Sequence, residues 1–557
     1  MSLYLKLLPF GLAILYIVYR LLKVFSTMRT LSKRTVFNGT VDTQERWSKK
    51  KVPSKVDVVV IGSGMSGLTT AAFYSKIGKK VLVLEQHYIA GGACHSYTEQ
   101  GYAFDTGFHY IGNRDDYMKI WKMTMSKDIK WNICQEFDTI KFNDEKPFKF
   151  IAPKRTFIEN LKNEFPDMKE SIQKYFDISR RAAACGSYKA LMYLVVPTFL
   201  QKICLFGLSI LYSDVYKKST KDIMEKTGII NNKRLTALLN GQLGDIQVTY
   251  ENVDFSDQMS LLNHYLNGSI YPQGGTMEIV SSMMGTILAN GGQVLCRARV
   301  TKIITEGGQV KGVVVNDDTT IDSPLVISSI GIKYTNQLIP QKNNIPERYE
   351  DGMGHFYLFV GIKGNAKELN LPRGNMWHYP GIKDYDLNKF RQKYLDLTQE
   401  EVVNFKDFMT FTCFPTVKEH IENTPEKISC IVIAEAKNEW VKNFEITDKK
   451  RTEEYKEFKK KIEQNLLNLL FTNYPQLKGK VDFINLGTPL TNKTYYNRYS
   501  SYGMQYGKER ANDPSTFLNS KTSVKGLYIT GQDITSPGIA PSVLSGFVTF
   551  MKSSGVF

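Results

Sequence analysis

The chain has 557 residues, 42% hydrophobic and 12% aromatic, with a formal net charge of +17. That length exceeds what one hydrophobic core accommodates, and the composition excludes a disordered chain. Seven scattered cysteines without a CxxC pair exclude a disulfide framework, and no metal site is expected.

The first 55 residues hold eleven Lys/Arg against Asp42 and Glu45, so +9 of the +17 lies there. The remainder is thinly spread with no basic stripe, so no nucleic-acid partner is expected. A basic segment beside an apolar one suits an anionic membrane surface. The apolar neighbour is "LLPFGLAILYIVY", Leu7 to Tyr19. It is short of the ~20 residues that span a bilayer, but snorkelling by Lys6, Arg20 and Lys23 lengthens it. A cleaved signal peptide is the rival reading, yet Arg20 and Lys23 stand where its small-residue cleavage site belongs. Residues 1–30 are therefore predicted to be an N-terminal hydrophobic membrane anchor and 31–54 a basic linker. The positive flank after the anchor places the body in the cytosol.

Val56 to Ile61 reads as a strand buried on both faces. Gly62-Ser63-Gly64-Met65-Ser66-Gly67 follows, then a small-residue helix ending at Gly78 and a second strand, "KKVLVLE", closing at Glu85. Strand, GxGxxG, helix, strand and acid in this order form the dinucleotide fingerprint. Gly62 permits the tight turn, Gly64 lets the backbone approach a pyrophosphate, and Gly67 lets helix and strand pack closely. The helix N-terminus faces the phosphates. Glu85 accepts from ribose hydroxyls and repels a 2′-phosphate.

Beyond Glu85 runs "QHYIAGGACHSYTEQGYAFDTGFHYIG", with a second glycine pair, Gly91-Gly92, that an NAD dehydrogenase does not require. Near the other end, "VKGLYITGQDITSPGIAPSVLSGFVTF" predicts a strand (Gly526 to Thr530), then Gly531, Asp533, a Pro-Gly turn and a helix from about Ala540. Between them, "GGQVLCRARVTKIITEGGQVKGVVV" is a hairpin and "SPLVISSIG" a further strand.

These features resemble flavoprotein oxidoreductases of the amine oxidase and phytoene desaturase kind. The resemblance implies FAD, and it carries cofactor contacts onto Gly62, Ser63, Gly64, Met65, Gly67, Glu85, Gln86, Gly91, Gly92, Ala93, Val300, Gly531, Asp533, Ile539 and Ala540. More specifically, "QHYIAGGACHSY", "FDTGFHYIG", "GTPLTNKTYYNRYSSYGMQYG" and "GQDITSPGIAPSVLSG" resemble the retinol saturase family, from about residue 56 to 557. Ala93 departs from the pattern, since vertebrate members tend to show a second cysteine there. The family implies FAD-dependent saturation of one double bond of a lipophilic polyene at the endoplasmic reticulum membrane. A nonpolar alkene offers little charge to stabilise, so catalysis should be mostly positioning in a dry slot.

Within that resemblance, His109 and Tyr110 are candidates for proton donor or for contact with the substrate's polar end. A packed aromatic strand with a satisfied imidazole explains them otherwise. Cys94 and His95, and Tyr502 and Tyr506, are candidates to touch substrate, against readings as a turn and an aromatic core. Leu191 to Tyr212 is either a monotopic helix dipping into the membrane or a buried helix of the substrate domain. Thr447 to Leu470 reads as an exposed amphipathic helix.

The predicted architecture is α/β: a discontinuous Rossmann-like FAD-binding domain (55–115, 268–340 and 485–557) with an inserted α+β substrate domain (116–267 and 341–484). A carotenoid cis-trans isomerase or desaturase is the alternative function, and a non-catalytic isoprenoid carrier the third. No second nucleotide motif exists, so NAD(P)H would bind transiently or an unidentified partner would donate electrons.

Overall fold

The computed structural model describes residues 2–196, 198–339, 348–422, 424–445 and 451–555, and only the backbone for 2–14, 115, 116, 195, 198 and 199. A five-stranded sheet is assembled from three distant parts of the chain. Its order is Gln293–Leu295, Val81–Leu84, Val58–Ile61, Val326–Ser328, Leu527–Ile529, all parallel. The central strands "VVVI" and "VLVL" are buried at every position, because both faces are covered and no side needs a polar residue. The helices Met65–Lys76, Met277–Ala289 and Ile539–Ser553 pack on one side, and an antiparallel three-stranded layer from Val300 to Asp322 covers the other.

A seven-stranded sheet stands opposite. Its order is Val481–Gly487, Gly354–Lys363, Lys427–Ala436, Thr410–Cys413, Asn375–Tyr379, Glu136–Phe142, Phe148–Ile151, so both chain insertions contribute to it. One face buries Phe356, Leu358, Val360 and Ile362 under the helix Glu453–Asn473. That helix is not the free surface element expected at Thr447 to Leu470. Its Tyr455, Phe458, Ile462 and Leu466 recur at helical spacing and are buried, while residues 446–450 lie outside the described residues.

The helix Ser2–Leu31 contains the segment expected to anchor the chain. The side chains of residues 7–14 lie outside the described residues, and among the described residues no helix is long and apolar enough to cross a membrane. The spanning anchor is thus not supported. Leu191 to Tyr212 holds the end of the helix Lys169–Val195 and the helix Thr198–Leu211, and is not one buried helix. Ile203, Phe206, Ile210 and Leu211 are exposed, as are Leu15, Tyr19, Leu22 and Phe25 of the N-terminal helix. Both helices pack against Lys169–Val195.

Candidate active site

A cavity of about 940 Å³ runs between the two sheets. One end is the glycine cradle. Gly62 has φ +90°, which only glycine adopts without strain, and turns the chain off the first strand. The helix Met65–Lys76 has no side-chain cap at its N-terminus, so its first N–H groups are available to an anion. A β-carbon at Gly64 would meet no protein atom within 4 Å, whereas at Gly67 it would overlap the Gly62 carbonyl oxygen and sit 2.9 Å from Ser329 Oγ. Gly64 faces open space and Gly67 faces packed backbone.

Glu85 lines the cavity while tied into the cradle. Its Oε2 accepts from Ser63 N–H (2.9 Å) and Ser63 Oγ–H (2.7 Å), and Oε1 from His87 N–H (2.8 Å). A carboxylate has about four lone-pair sites, so one remains for a ribose hydroxyl. Ser63, expected at the cofactor, does not line the cavity; its hydroxyl oxygen also accepts from Gly91 N–H at 3.0 Å, clamping the second glycine pair. Gly67 likewise acts through packing. Gly64, Met65, Gln86, Gly91, Gly92, Ala93 and Val300 line the cavity.

From the C-terminal segment come Gly531, Asp533, Ile539 and Ala540, also at the wall. Asp533 is mainly a knot: Oδ2 accepts from Ile332 N–H (2.8 Å) and Oδ1 from Met504 N–H (2.9 Å). The helix Ile539–Ser553 has no side-chain cap and presents its N-terminal turn to the cavity. Sequence reasoning missed Arg510. It is 3% exposed and donates to the carbonyls of Met504 (2.6 Å), Gln532 and Thr535 (2.9 Å), drawing the 504–510 loop onto the 532–535 turn.

The far end is an aromatic slot against the seven-stranded sheet, walled by Tyr110, Tyr265, Tyr357, Trp377, Phe411 and Tyr502. Tyr110 and Tyr265 stack at 4.6 Å. Tyr110 Oη donates to Asp138 Oδ2 (3.0 Å) and Tyr265 Oη to Asp245 Oδ2 (3.2 Å). Burial raises Asp138 to about 7 and Asp245 to about 6, and holds the Tyr110 phenol well above its usual range. Burial, helped by the nearby Lys418 ammonium, pushes His109 down to about 3, so its ring is neutral. The Lys418 Nζ donates to the His109 carbonyl at 2.7 Å and fixes that segment.

Of the other expected substrate contacts, Cys94, Tyr502 and Tyr506 line the cavity. Burial raises the Cys94 thiol, which makes it an inert wall. Tyr506 Oη is committed to Asp257 Oδ2 at 2.8 Å. His95 does not line the cavity: the turn at Gly91-Gly92 folds its Nδ1 back to 2.6 Å from the Gly92 carbonyl oxygen.

Residues 60–125 match the family model of an NAD(P)-binding Rossmann-like domain. Among solved structures, putrescine oxidase bound to putrescine aligns with a TM-score of 0.58 at 13% identity, covering 89% of this chain and 98% of that one. An oxidoreductase from Methanosarcina mazei aligns at 0.55 and 17%, covering 88% and 99%. At these identities the likeness is of fold. With the two glycine sets and the C-terminal helix turn on one cavity, it defines an FAD-binding oxidoreductase.

The sequence goes further. The chain is 30% identical over 529 residues to the all-trans-retinol 13,14-reductase of Danio rerio, covering 90% of this chain and 86% of that protein. Against the Homo sapiens protein of that name the identity is 29%, covering 89% and 85%. Prolycopene isomerase 2 from an Oncidium hybrid cultivar is 25% identical, covering 91% and 85%. The chain belongs to the all-trans-retinol 13,14-reductase family.

Proposed function

We propose that this protein is an FAD-dependent reductase that saturates one double bond of a retinoid or related polyene, of the all-trans-retinol 13,14 type. The observation that carries the reading is the single cavity, with the glycine cradle at one end and the aromatic slot at the other. Gly64, Gly91-Gly92 and the two uncapped helix N-termini hold the phosphates and ring edge of FAD, and Glu85 its ribose. When bound, FAD supplies the hydride.

The chain's own residues supply the rest. Aromatic walls exclude water and fix the polyene plane, which is where the rate is gained for a substrate that develops little charge. Tyr110 is the proton source we assign: it holds a proton at Oη, faces the slot and stands against Asp138, whose burial raises it to about 7. His109 is neutral and carries no acidic proton to give.

The substrate is delivered from a membrane. The helices Ser2–Leu31 and Thr198–Leu211, both with exposed apolar side chains, pack against the helix Lys169–Val195, whose Ala183, Gly186 and Ala190 line the cavity. Together with the basic N-terminal segment they support a body resting on the cytosolic side of the endoplasmic reticulum membrane.

The test is anaerobic mixing of chemically reduced, flavin-loaded protein with all-trans-retinol, following flavin absorbance and product mass. Reoxidation of the flavin as a product two mass units heavier appears supports the reductase. A changed polyene geometry at constant mass, with the flavin still reduced, replaces it with the isomerase. Protein that takes up no flavin refutes both.

A further inference from the structure

The mechanism above leaves two neutral histidines in the slot unexplained. His109 lies on the loop before the Ile111–Gly112 strand, and His355 lies on the strand Gly354–Lys363; both line the cavity. Both nitrogens of His109 and Nδ1 of His355 are shielded from solvent and have no hydrogen-bond partner. Buried polar atoms are rarely left so, and three on two side chains of one cavity wall mark a place built for a polar group.

The proton positions follow from the neighbours. Gln247 is fixed by its backbone partner: its Oε1 accepts from Met353 N–H (3.0 Å) and its Nε2 donates to the Met353 carbonyl (3.2 Å). Its amide nitrogen is therefore the atom that stands 3.5 Å from His355 Nε2. That ring nitrogen is the acceptor, and Nδ1 carries the hydrogen. His109, also neutral, offers one donor and one acceptor. Glu435, whose carboxylate acts on His355, is already paired with Arg391 at 2.8 and 2.9 Å.

We propose that His109 and His355 form a hydroxyl anchor that sets which double bond of a polyene alcohol is reduced. This rests on the retinoid-reductase reading. The alcohol oxygen accepts from His355 Nδ1–H and donates to the unprotonated nitrogen of His109. In retinol the carbon that bears the hydroxyl is bonded directly to carbon 14. An anchored hydroxyl therefore holds carbons 14 and 13 two and three bonds from the oxygen the histidines grip, near Tyr110, which follows His109 in the chain. A deeper or shallower seat would present a different bond of the conjugated series, so the anchor acts as a stop for the chain sliding into the slot.

The test compares binding of all-trans-retinol with binding of its hydrocarbon analogue, which lacks the oxygen, to flavin-loaded protein, read from polyene absorbance and fluorescence. Product regiochemistry is read alongside. The wild type should prefer retinol by about tenfold or more, the loss expected when buried polar groups go unpaired. H109F and H355F should bring the two ligands to within about twofold and yield mixed regioisomers, while H355N, which keeps a donor, should retain part of the preference. The ligand comparison on the wild type needs no variant, so a misfolded mutant does not spare the proposal. Equal binding of both ligands by the wild type overturns the anchor alone. So does a preference that survives in both His→Phe variants, or variants that change only flavin content and spectrum. Failure of both ligands to bind flavin-loaded protein refutes the retinoid reading itself.

Discussion

Alanine at Gly64 and, separately, at Gly67 divides the cradle's work into ligand space and packing. At Gly64 the backbone is extended (φ −63°, ψ 169°) and a β-carbon meets no protein atom within 4 Å, so G64A should change the flavin-free protein by less than about 0.5 kcal/mol. Its methyl instead enters the volume a pyrophosphate needs. At Gly67 the β-carbon overlaps the Gly62 carbonyl oxygen, which belongs to the turn and cannot rotate away. Overpacking of this kind costs about 1–3 kcal/mol whether or not flavin is present. FAD at a hundredfold excess over its Kd contributes about 2.7 kcal/mol, which at about 2.1 cal/mol/K of unfolding entropy per residue raises the melting temperature of a chain this long by about 2–3 °C. Scanning fluorimetry on flavin-stripped and FAD-supplemented samples resolves the two. Flavin-free G64A should melt with flavin-free wild type and gain nothing from FAD; G67A should melt lower in both states. Flavin retention by G64A at the wild-type level, or co-melting of the two stripped variants, would refute the assignment of Gly64 to the phosphates.

Three further outcomes are expected. R510K keeps the charge but cannot reach three carbonyls at once, so it should destabilise by about 2–4 kcal/mol and shed flavin; a wild-type melting curve would show that the 504–535 tie is dispensable. Asp245 ionises near 4 in an unfolded chain and at about 6 in the fold, so the folded state holds its proton longer and stability falls as pH rises from about 4 to 6. D245N cannot ionise, and its urea midpoint should decline less than the wild type's over that interval; equal declines would refute the burial of the carboxylate. Y110F should keep flavin and retinol binding but slow product formation by about 10²-fold or more, with the solvent isotope effect altered. Unchanged turnover would move the proton source elsewhere.

The cradle was legible because its glycines answer separate demands, a turn at Gly62, open space at Gly64 and close packing at Gly67, within one short stretch from Val58 to Gly92. The slot was not. In "HFYLFVGIKG" His355 and Tyr357 alternate with Phe356 and Leu358, a pattern that says a strand is buried but not which face borders a cavity. Arg510 sits in "KERA", which reads as a solvated turn; only carbonyls from Met504, Gln532 and Thr535, converging in the fold, make it a buried tie. His95 failed as a substrate contact for a related reason: the glycine turn that the motif announces also decides where the next side chain points. The motif fixes residue types, not the direction of its flanks.

The parallel sheet also carries a schedule. Roughly 200 residues separate the strand Val326–Ser328 from its neighbour Leu527–Ile529, about 10–40 s of synthesis at ~5–20 residues per second. Throughout that interval the growing chain holds an unpaired strand edge, Val326–Ser328, and a nucleotide loop without its far wall. The sheet is completed only once Leu527–Ile529 is made, and the helix Ile539–Ser553 that packs on Met65–Lys76 follows it. A chain cut before Leu527 would carry an intact fingerprint without Gly531, Ile539 and Ala540 at the cavity wall.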